Sequence, residues 1–249
     1  MTGLTYSTYV TQIAEMAVVD PLDVNFVTIL PAMIDYAELR IYRDLDLMST
    51  STSFTSPTIR LNAGNRNLSF PMTLPDGSGS IVVSEQINII TPAGETDPDG
   101  ANASRVTLLP TTKEYLDVVY GSNVTASRGQ PQYYAAFNEN LFFVGPVPDQ
   151  TYYVEVVGTY RPNTMSASNT TTFISQYFPD MLIMASMVYI SAYQRNFGRQ
   201  SDDPQMAQSY ESQYQTLLRS AGVEENRKKY EGPGWTSQSP SPIASPTRG

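Results

Sequence analysis

The run Ser80-Ile-Val-Val-Ser-Glu-Gln-Ile-Asn-Ile-Ile90 lies in the middle third of a 249-residue chain, and its β-branched side chains set the class of everything around it. Residues 80–84 and 86–90 each read as a short strand, because Val and Ile suit a pleated, half-buried surface. Similar runs recur on the C-terminal side: Arg105-Val-Thr-Leu-Leu109, Leu141-Phe-Phe-Val144 and residues 152–157. Turn formers separate them, in Leu74-Pro-Asp-Gly-Ser-Gly79, residues 92–100 and Gly145-Pro-Val-Pro-Asp149. Short strands punctuated in this way predict an antiparallel β-domain from about Thr58 to Pro162, with Asn138-Glu-Asn140 as a hairpin loop.

Outward from that centre the period changes. On the N-terminal side the Ser/Thr cluster of residues 49–56 ends a helical section. Phe26, Leu30, Met33, Ala37, Ile41 and Leu45 recur at helical spacing, with Asp35, Glu38, Arg43 and Asp46 mostly off that stripe. Pro31 interrupts the pattern, which predicts either a kink or a helix that begins near Pro31. Before it, Tyr6, Val10, Ile13 and Ala17 mark one more helix face, closed by Asp20-Pro21. On the C-terminal side Phe173, Tyr177, Met181, Ala185, Val188 and Ala192 mark a face. Ile174, Phe178, Leu182, Met184 and Ile190 make the same helix apolar nearly all round, so it is expected at the centre of the helical part. A last helix starts with Asp203 as N-cap and Pro204 at its first position. It carries Met206, Tyr210, Tyr214, Leu217 and Ala221 on one stripe and is expected on the outside. The remainder is rich in Gly, Pro and Ser, with only Trp235 and Ile243 as large apolar side chains, too few to bury a core.

The expected fold is α+β: a helical bundle formed by the N- and C-terminal helices, an inserted antiparallel β-domain and an extended tail. The expected boundaries are residues 1–50 and 166–230 for the bundle, 51–165 for the β-domain and 231–249 for the tail.

Composition narrows the chemistry. The chain has no Cys and no His, which removes disulfides, thiol nucleophiles, zinc fingers, imidazole acid–base chemistry and a Ser-His-Asp triad. A net charge of −9 argues against a simple nucleic-acid binder. The first basic residue is Arg40, so no secretory signal is expected. The most apolar run, residues 181–190, is about half the roughly 20 residues that span a bilayer, so no membrane association is expected. With 17 Tyr and only 16% charged residues, the chain suits broad polar contact surfaces.

Four patterns could carry chemistry or contacts. Glu95-Thr-Asp97-Pro-Asp99-Gly100 resembles the start of a calcium loop, but Val106 stands at the twelfth position, where a bidentate Glu is needed. It reads as a surface turn. The acid pairs Asp44/Asp46, Asp202/Asp203 and Glu224/Glu225 could form a glycosidase couple, but helix ends and polar faces account for them. Trp235 in a polar tail is either incidental or an anchor for a partner's pocket. Arg227-Lys-Lys229 is a favourable charge at a helix C-terminus, with an acidic partner as the second reading. No catalytic residue, cofactor site or metal site is assigned.

An ordered set of motifs runs through the C-terminal half. Gly129-Gln-Pro131-Gln-Tyr133-Tyr134 is followed by an apolar strand, the turn Pro146-Val-Pro148-Asp149, Tyr152-Tyr153 and a strand closing on Tyr160-Arg-Pro162. Thr170-Thr-Thr172 and Tyr177-Phe-Pro179-Asp180 come next, and residues 30–45 supply a matching N-terminal segment. This order resembles the head-to-tail adaptor, or connector, proteins of tailed bacteriophages. The resemblance covers about residues 5–235. It implies a structural virion protein, assembled in the host cytoplasm as a ring of twelve copies at the head-to-tail junction.

The implied partners are the portal protein, a tail tube or nozzle protein and further copies of itself, with genomic DNA passing through the lumen without specific binding. Arg227, Lys228, Lys229, Tyr230, Trp235 and Ile243 are the candidate portal contacts. Pro131, Tyr134, Pro146, Pro148, Asp149, Tyr160, Pro162, Pro179 and Asp180 take structural roles. The alternatives are another neck ring, such as a tail-completion or nozzle protein, and, from a different class, a carbohydrate-binding or hydrolytic β-domain.

Overall fold

A computed structural model of the chain describes residues 3–194 and 204–230. Among these residues it is α+β, with six α-helices and two four-stranded sheets. Two compact units divide the chain: residues 1–49 with 164–249, and residues 50–163.

The first unit is helical. α1 (Tyr6–Ala17) opens on a capping box between Thr5 and Thr8 and buries Tyr9, Ile13, Ala14 and Ala17. It ends at Val18, which holds a left-handed backbone at φ 53°. α2 (Val24–Asp44) starts seven residues before Pro31, not at it. Asp23 is the cause, since its carboxylate accepts hydrogen bonds from the Asn25 and Phe26 N–H groups and fixes the first turn there. Pro31 then lies inside the helix, on an exposed face. The proline has no N–H for the Val27 carbonyl, and Val27 is itself exposed to water.

The single helix expected from Phe173 is two helices, α4 (Phe173–Tyr177) and α5 (Pro179–Gln194). Pro179 forces the break: Phe178 before it takes φ −130°, ψ 49°, outside the helical region, and the proline opens the next helix. α5 packs against α1, α2, α4 and α6 (Pro204–Tyr230) and buries Met181, Leu182, Ala185, Met187 and Ile190. Each of the Met, Leu and Ile side chains among them contributes about 1.5–3 kcal/mol on burial. On α6, Tyr214 and Ala221 are buried while most other described positions are exposed. The expected N-cap Asp203 lies outside the described residues, as does the side chain of Met206.

The second unit is a β-sandwich with one helix. Its strands are β1 (Ser51–Leu61), β2 (Asn67–Ser69), β3 (Gly79–Thr91), β4 (Ser104–Thr107), β5 (Leu109–Pro110), β6 (Tyr133–Ala136), β7 (Leu141–Gly145) and β8 (Tyr152–Pro162); α3 (Lys113–Val119) follows β5. One sheet has the order β1-β8-β3-β4 and the other β2-β7-β6-β5. Ile59, Leu61, Ile87, Ile89, Val154 and Val156 from the first meet Leu68, Phe142 and Val144 from the second in one core.

Three expectations change here. The Ser/Thr cluster ends the helical section as expected, but from Ser51 it already forms β1, ahead of the expected start near Thr58, since hydroxyl side chains suit a strand with one exposed face. The two runs at 80–84 and 86–90 form one 13-residue strand, whose register against β8 shifts at Ile81/Val83 and again at Ser84/Gln86. Pairing is also not wholly antiparallel, since β5 and β6 run parallel, with α3 in the connection between them. The hairpin at 138–140 is present: the Asn138 carboxamide oxygen accepts from the Asn140 and Leu141 N–H groups.

Candidate functional site

The charged and polar groups of the helical unit are mostly spent on one another. Glu38 departs furthest from expectation: it is fully buried on α2 rather than off the apolar stripe. Its two oxygens accept from the Met165 N–H at 3.0 Å and the Thr172 hydroxyl at 2.6 Å, so one carboxylate holds the segment leading into α4. Burial pushes its carboxyl up; the Thr172 and Met165 hydrogen bonds only partly oppose that, and Asp35 adds to it. Tyr9, also fully buried, donates to Ser186 on α5 at 2.6 Å. Between α2 and α6, Arg40 grips Glu211 with both terminal nitrogens and stacks over the Tyr214 ring at 4.2 Å. The Tyr214 hydroxyl donates to Asp44.

The basic run at the end of α6 is placed in the same way. Lys228 pairs with Glu224 at 2.9 Å and Glu225 at 2.7 Å, and it lies over the Phe173 and Phe178 rings. Lys229 pairs with Asp46. Arg227 is exposed, and Tyr230 is the last residue of α6. Trp235 and Ile243 lie outside the described residues. Of the acid pairs, Asp44, Asp46 and Glu224 have these partners at or near helix ends, while Asp202/Asp203 lie outside the described residues. Glu225 is not on a polar face as expected: it is buried and also accepts from the Met48 N–H at 3.1 Å.

Both buried acids stand at positions that the helical period assigns to the core. Glu38 is four residues after Ile34 and three before Ile41, and Glu225 is four after Ala221. That spacing was the available signal, and side-chain charge argued against it.

In the β-sandwich the outer face of the β1-β8-β3-β4 sheet carries a polar row. Glu155 of β8 is buried and accepts from Ser53 on β1, Asn88 on β3 and the Arg105 Nε on β4, all within 2.9 Å. Burial pushes the Glu155 carboxyl up, but these three donors outweigh it and hold it below the usual carboxylate range. Arg105 also reaches Asp99. The loop at 95–100 is therefore satisfied internally: Glu95 accepts from the Thr96 and Asp97 N–H groups, and Asp97 from that of Asp99. Among the described residues no group of three or more acidic side chains is disposed to hold a metal ion.

The signature positions sit around the strand ends. Pro131 and Pro148 are buried, and Pro148 accepts from the Gly64 N–H. Pro146 follows β7 through a cis bond, and Asp149 accepts from the Tyr152 hydroxyl at 2.8 Å. Tyr134 stands 6.0 Å from Phe142, ring to ring, and Tyr160 packs against the sandwich core. Pro162 ends β8, and Pro179 and the exposed Asp180 open α5.

Two surface features remain. The rings of Tyr115 on α3, Tyr120 just past its end and Tyr133 on β6 contact one another, and Val118 and Leu109 nearby in sequence or pairing are exposed. An open cleft of ≈ 330 Å³ runs beside β1, lined by Thr52, Phe54, Leu74, Asp76, Ser78 and Tyr160 among others. Its one carboxylate, Asp76, is held by the N–H and hydroxyl of Ser78 in its own turn, which lowers its titration. A carboxylate couple for glycoside hydrolysis needs two acids, and this cleft supplies one.

Residues 4–238 match the family model described as SU10 adaptor protein. The match spans both units and extends past Trp235. No curated protein matches the chain.

Proposed function

The chain belongs to the SU10 adaptor protein family, a family of bacteriophage head-to-tail adaptors, and on that premise we propose that it works without chemistry, as a ring in the virion neck. Twelve copies sit between the portal and the tail tube or nozzle, and the DNA passes through their lumen. The helices on either side of the β-sandwich in sequence form the ring body, with the sandwich inserted between them and turned toward tail components. The segment after Tyr230 clamps the portal, with Trp235 as anchor and Ile243 and Arg227 as further contacts. Lys228 and Lys229 hold α6 to its neighbours and leave Arg227 as the freer cation of the run.

The observation that carries this reading is the length of the family match, which takes in both units and residues 231–238. The polar contacts described above support it, since charged groups such as Glu38, Arg40 and Glu155 are used to hold elements together. Deletion of residues 231–249 tests the clamp. The truncated chain is expected to keep its helical and sheet signals but to be missing from portal-bearing particles. Normal incorporation would refute the clamp, and density for this chain elsewhere than the neck in virion micrographs would refute the ring.

The net charge takes on a role in that setting. Twelve copies at −9 carry about −100 formal charges before screening. An acidic lumen repels phosphates and lets DNA slide without sticking. A basic lumen in the assembled ring would overturn this part.

A further inference from the structure

The β1-β8-β3-β4 sheet has two open edges, and they differ in a way that fits one to the other. β1 is 11 residues long, and its first six, Ser-Thr-Ser-Phe-Thr-Ser, carry no charge and no proline before Pro57. A long, uncharged edge strand is a template for pairing, and proteins that must stay apart blunt such edges with charge, proline or bulges. Here the blunting begins only at Pro57 and the irregularity between Thr55 and Arg60. Ser51 and Ser53 are exposed. β4, at the other edge, exposes Ser104, Arg105 and Thr107.

We infer that the β1 edge of one copy pairs with the β4 edge of the next copy, so that this sheet continues from subunit to subunit. The inference rests on the ring reading and names its subunit contact. Three observations support a second copy as the occupant. All three pairings within the sheet are antiparallel, so its four strands alternate in direction and β1 and β4 run oppositely. Repeating the unit head to tail then makes β4 and the next β1 antiparallel without turning any copy over, the heterologous contact that closes a ring.

The faces also match. Val106 of β4 and Phe54 of β1 both lie on the core side, while Thr107 and Ser53 lie on the outer, hydroxyl-bearing side. Joined edges therefore continue an apolar layer beneath and the polar row above. Charge leaves these edges free to meet. Copies of a chain at −9 repel one another, but the first six residues of β1 are uncharged, and the single charged residue of β4, Arg105, is already held by Glu155 and Asp99.

The absence of cysteine makes the test direct. Within one copy β1 and β4 are three strand spacings apart, roughly 14 Å, whereas a disulfide needs Cα atoms within about 7 Å. The double variants Ser53→Cys/Thr107→Cys and Thr55→Cys/Thr107→Cys cover two registers, and a bond in either can form only between copies. Particles assembled with each variant are oxidised after purification and run on denaturing gels without reductant. The expected result is a ladder of dimers and larger multimers in at least one double variant, collapsing on reduction and missing from each single variant. Double variants that enter particles yet stay monomeric in both registers overturn the edge pairing and leave the ring reading standing. A β1 cysteine that links instead to a different virion protein overturns it too. A wild-type chain missing from particles refutes the ring reading itself, and this inference falls with it.

Discussion

Replacing Glu38 by Gln is expected to stabilise the helical unit, and to do so more as pH rises. The carboxylate has no exposure, accepts two hydrogen bonds, and forms no ion pair among the described residues. Its pKa is raised in the folded chain, with burial as the largest cause. The native state therefore binds more protons than the unfolded state between the two pKa values, and stability falls as pH rises through that interval. Each unit of elevation costs about 1.4 kcal/mol once the group is ionised. Gln keeps the shape, still accepts from the Met165 N–H, and presents an amide to Thr172 without a charge to desolvate. At about pH 8 the variant should gain roughly 1–2 kcal/mol, in line with neutral replacements of buried charges. At about pH 3, below the ordinary carboxyl range, where the group is protonated in both states, the two proteins should nearly coincide.

Glu38→Ala is the contrast. It strands the Met165 N–H and the Thr172 hydroxyl, each at about 1–3 kcal/mol, and should lose roughly 3–5 kcal/mol in total with the cavity it leaves. Urea titrations followed by far-ultraviolet circular dichroism across that pH range read both effects. A Gln variant less stable than wild type at the upper end, with a difference flat in pH, would refute the reasoning and show that the ionised form is favoured at this site.

Three further outcomes follow from the same geometry. Val18→Gly removes a β-branched side chain from a left-handed backbone and should raise stability by about 1 kcal/mol, measured by thermal unfolding; a loss would mean that the exposed Val18 side chain contributes a contact worth more than the strain. Tyr9→Phe deletes the hydroxyl that donates to Ser186 and should cost roughly 1 kcal/mol, with no change in helix content. Glu155 has a lowered pKa, so its contribution is complete above the unfolded carboxyl range and lost as pH falls through the folded value. Near-ultraviolet circular dichroism of the sandwich tyrosines should show acid unfolding that shifts to higher pH in Arg105→Met, which removes the strongest of its three donors.

Much of the helical unit is legible in sequence because its apolar side chains recur at the helical period. Ile13 and Ala17 on α1 lie where that pattern puts them, as do the α2 stripe from Phe26 to Leu45 and the all-round apolar α5. What the pattern misses is polar burial. Glu38 and Glu225 satisfy the period but carry the wrong chemistry for a core, and only three-dimensional donors such as Met165 and Met48 make their burial tolerable. Boundaries fail where one residue overrules a trend: Asp23 starts α2 early and Pro179 splits α4 from α5. In the sandwich, β2, β5 and β6 span two to four residues each, too short for any period to establish itself, and α3 interrupts a region whose composition favours strands. The long strands β3 and β8 emerge clearly, though the register shifts in β3 make one strand read as two. The open β1 edge is nearly invisible in sequence, since a run of Ser and Thr resembles a loop until its partner on β8 is known.

The order of the two units along the chain also dictates a schedule. Residues 50–163 leave the ribosome as a complete set and can fold as soon as β8 has emerged. The helical unit cannot, because α1 and α2 are made first while α5 and α6, which bury their apolar faces, are made last. At about 5–20 residues per second, α2 waits roughly 7–30 seconds for α5 with Phe26, Leu30 and Ile34 uncovered. The helical unit can therefore close only after α5 and α6 have been made, so a chain stalled before α5 is expected to carry a folded sandwich while the apolar faces of α1 and α2 stay uncovered.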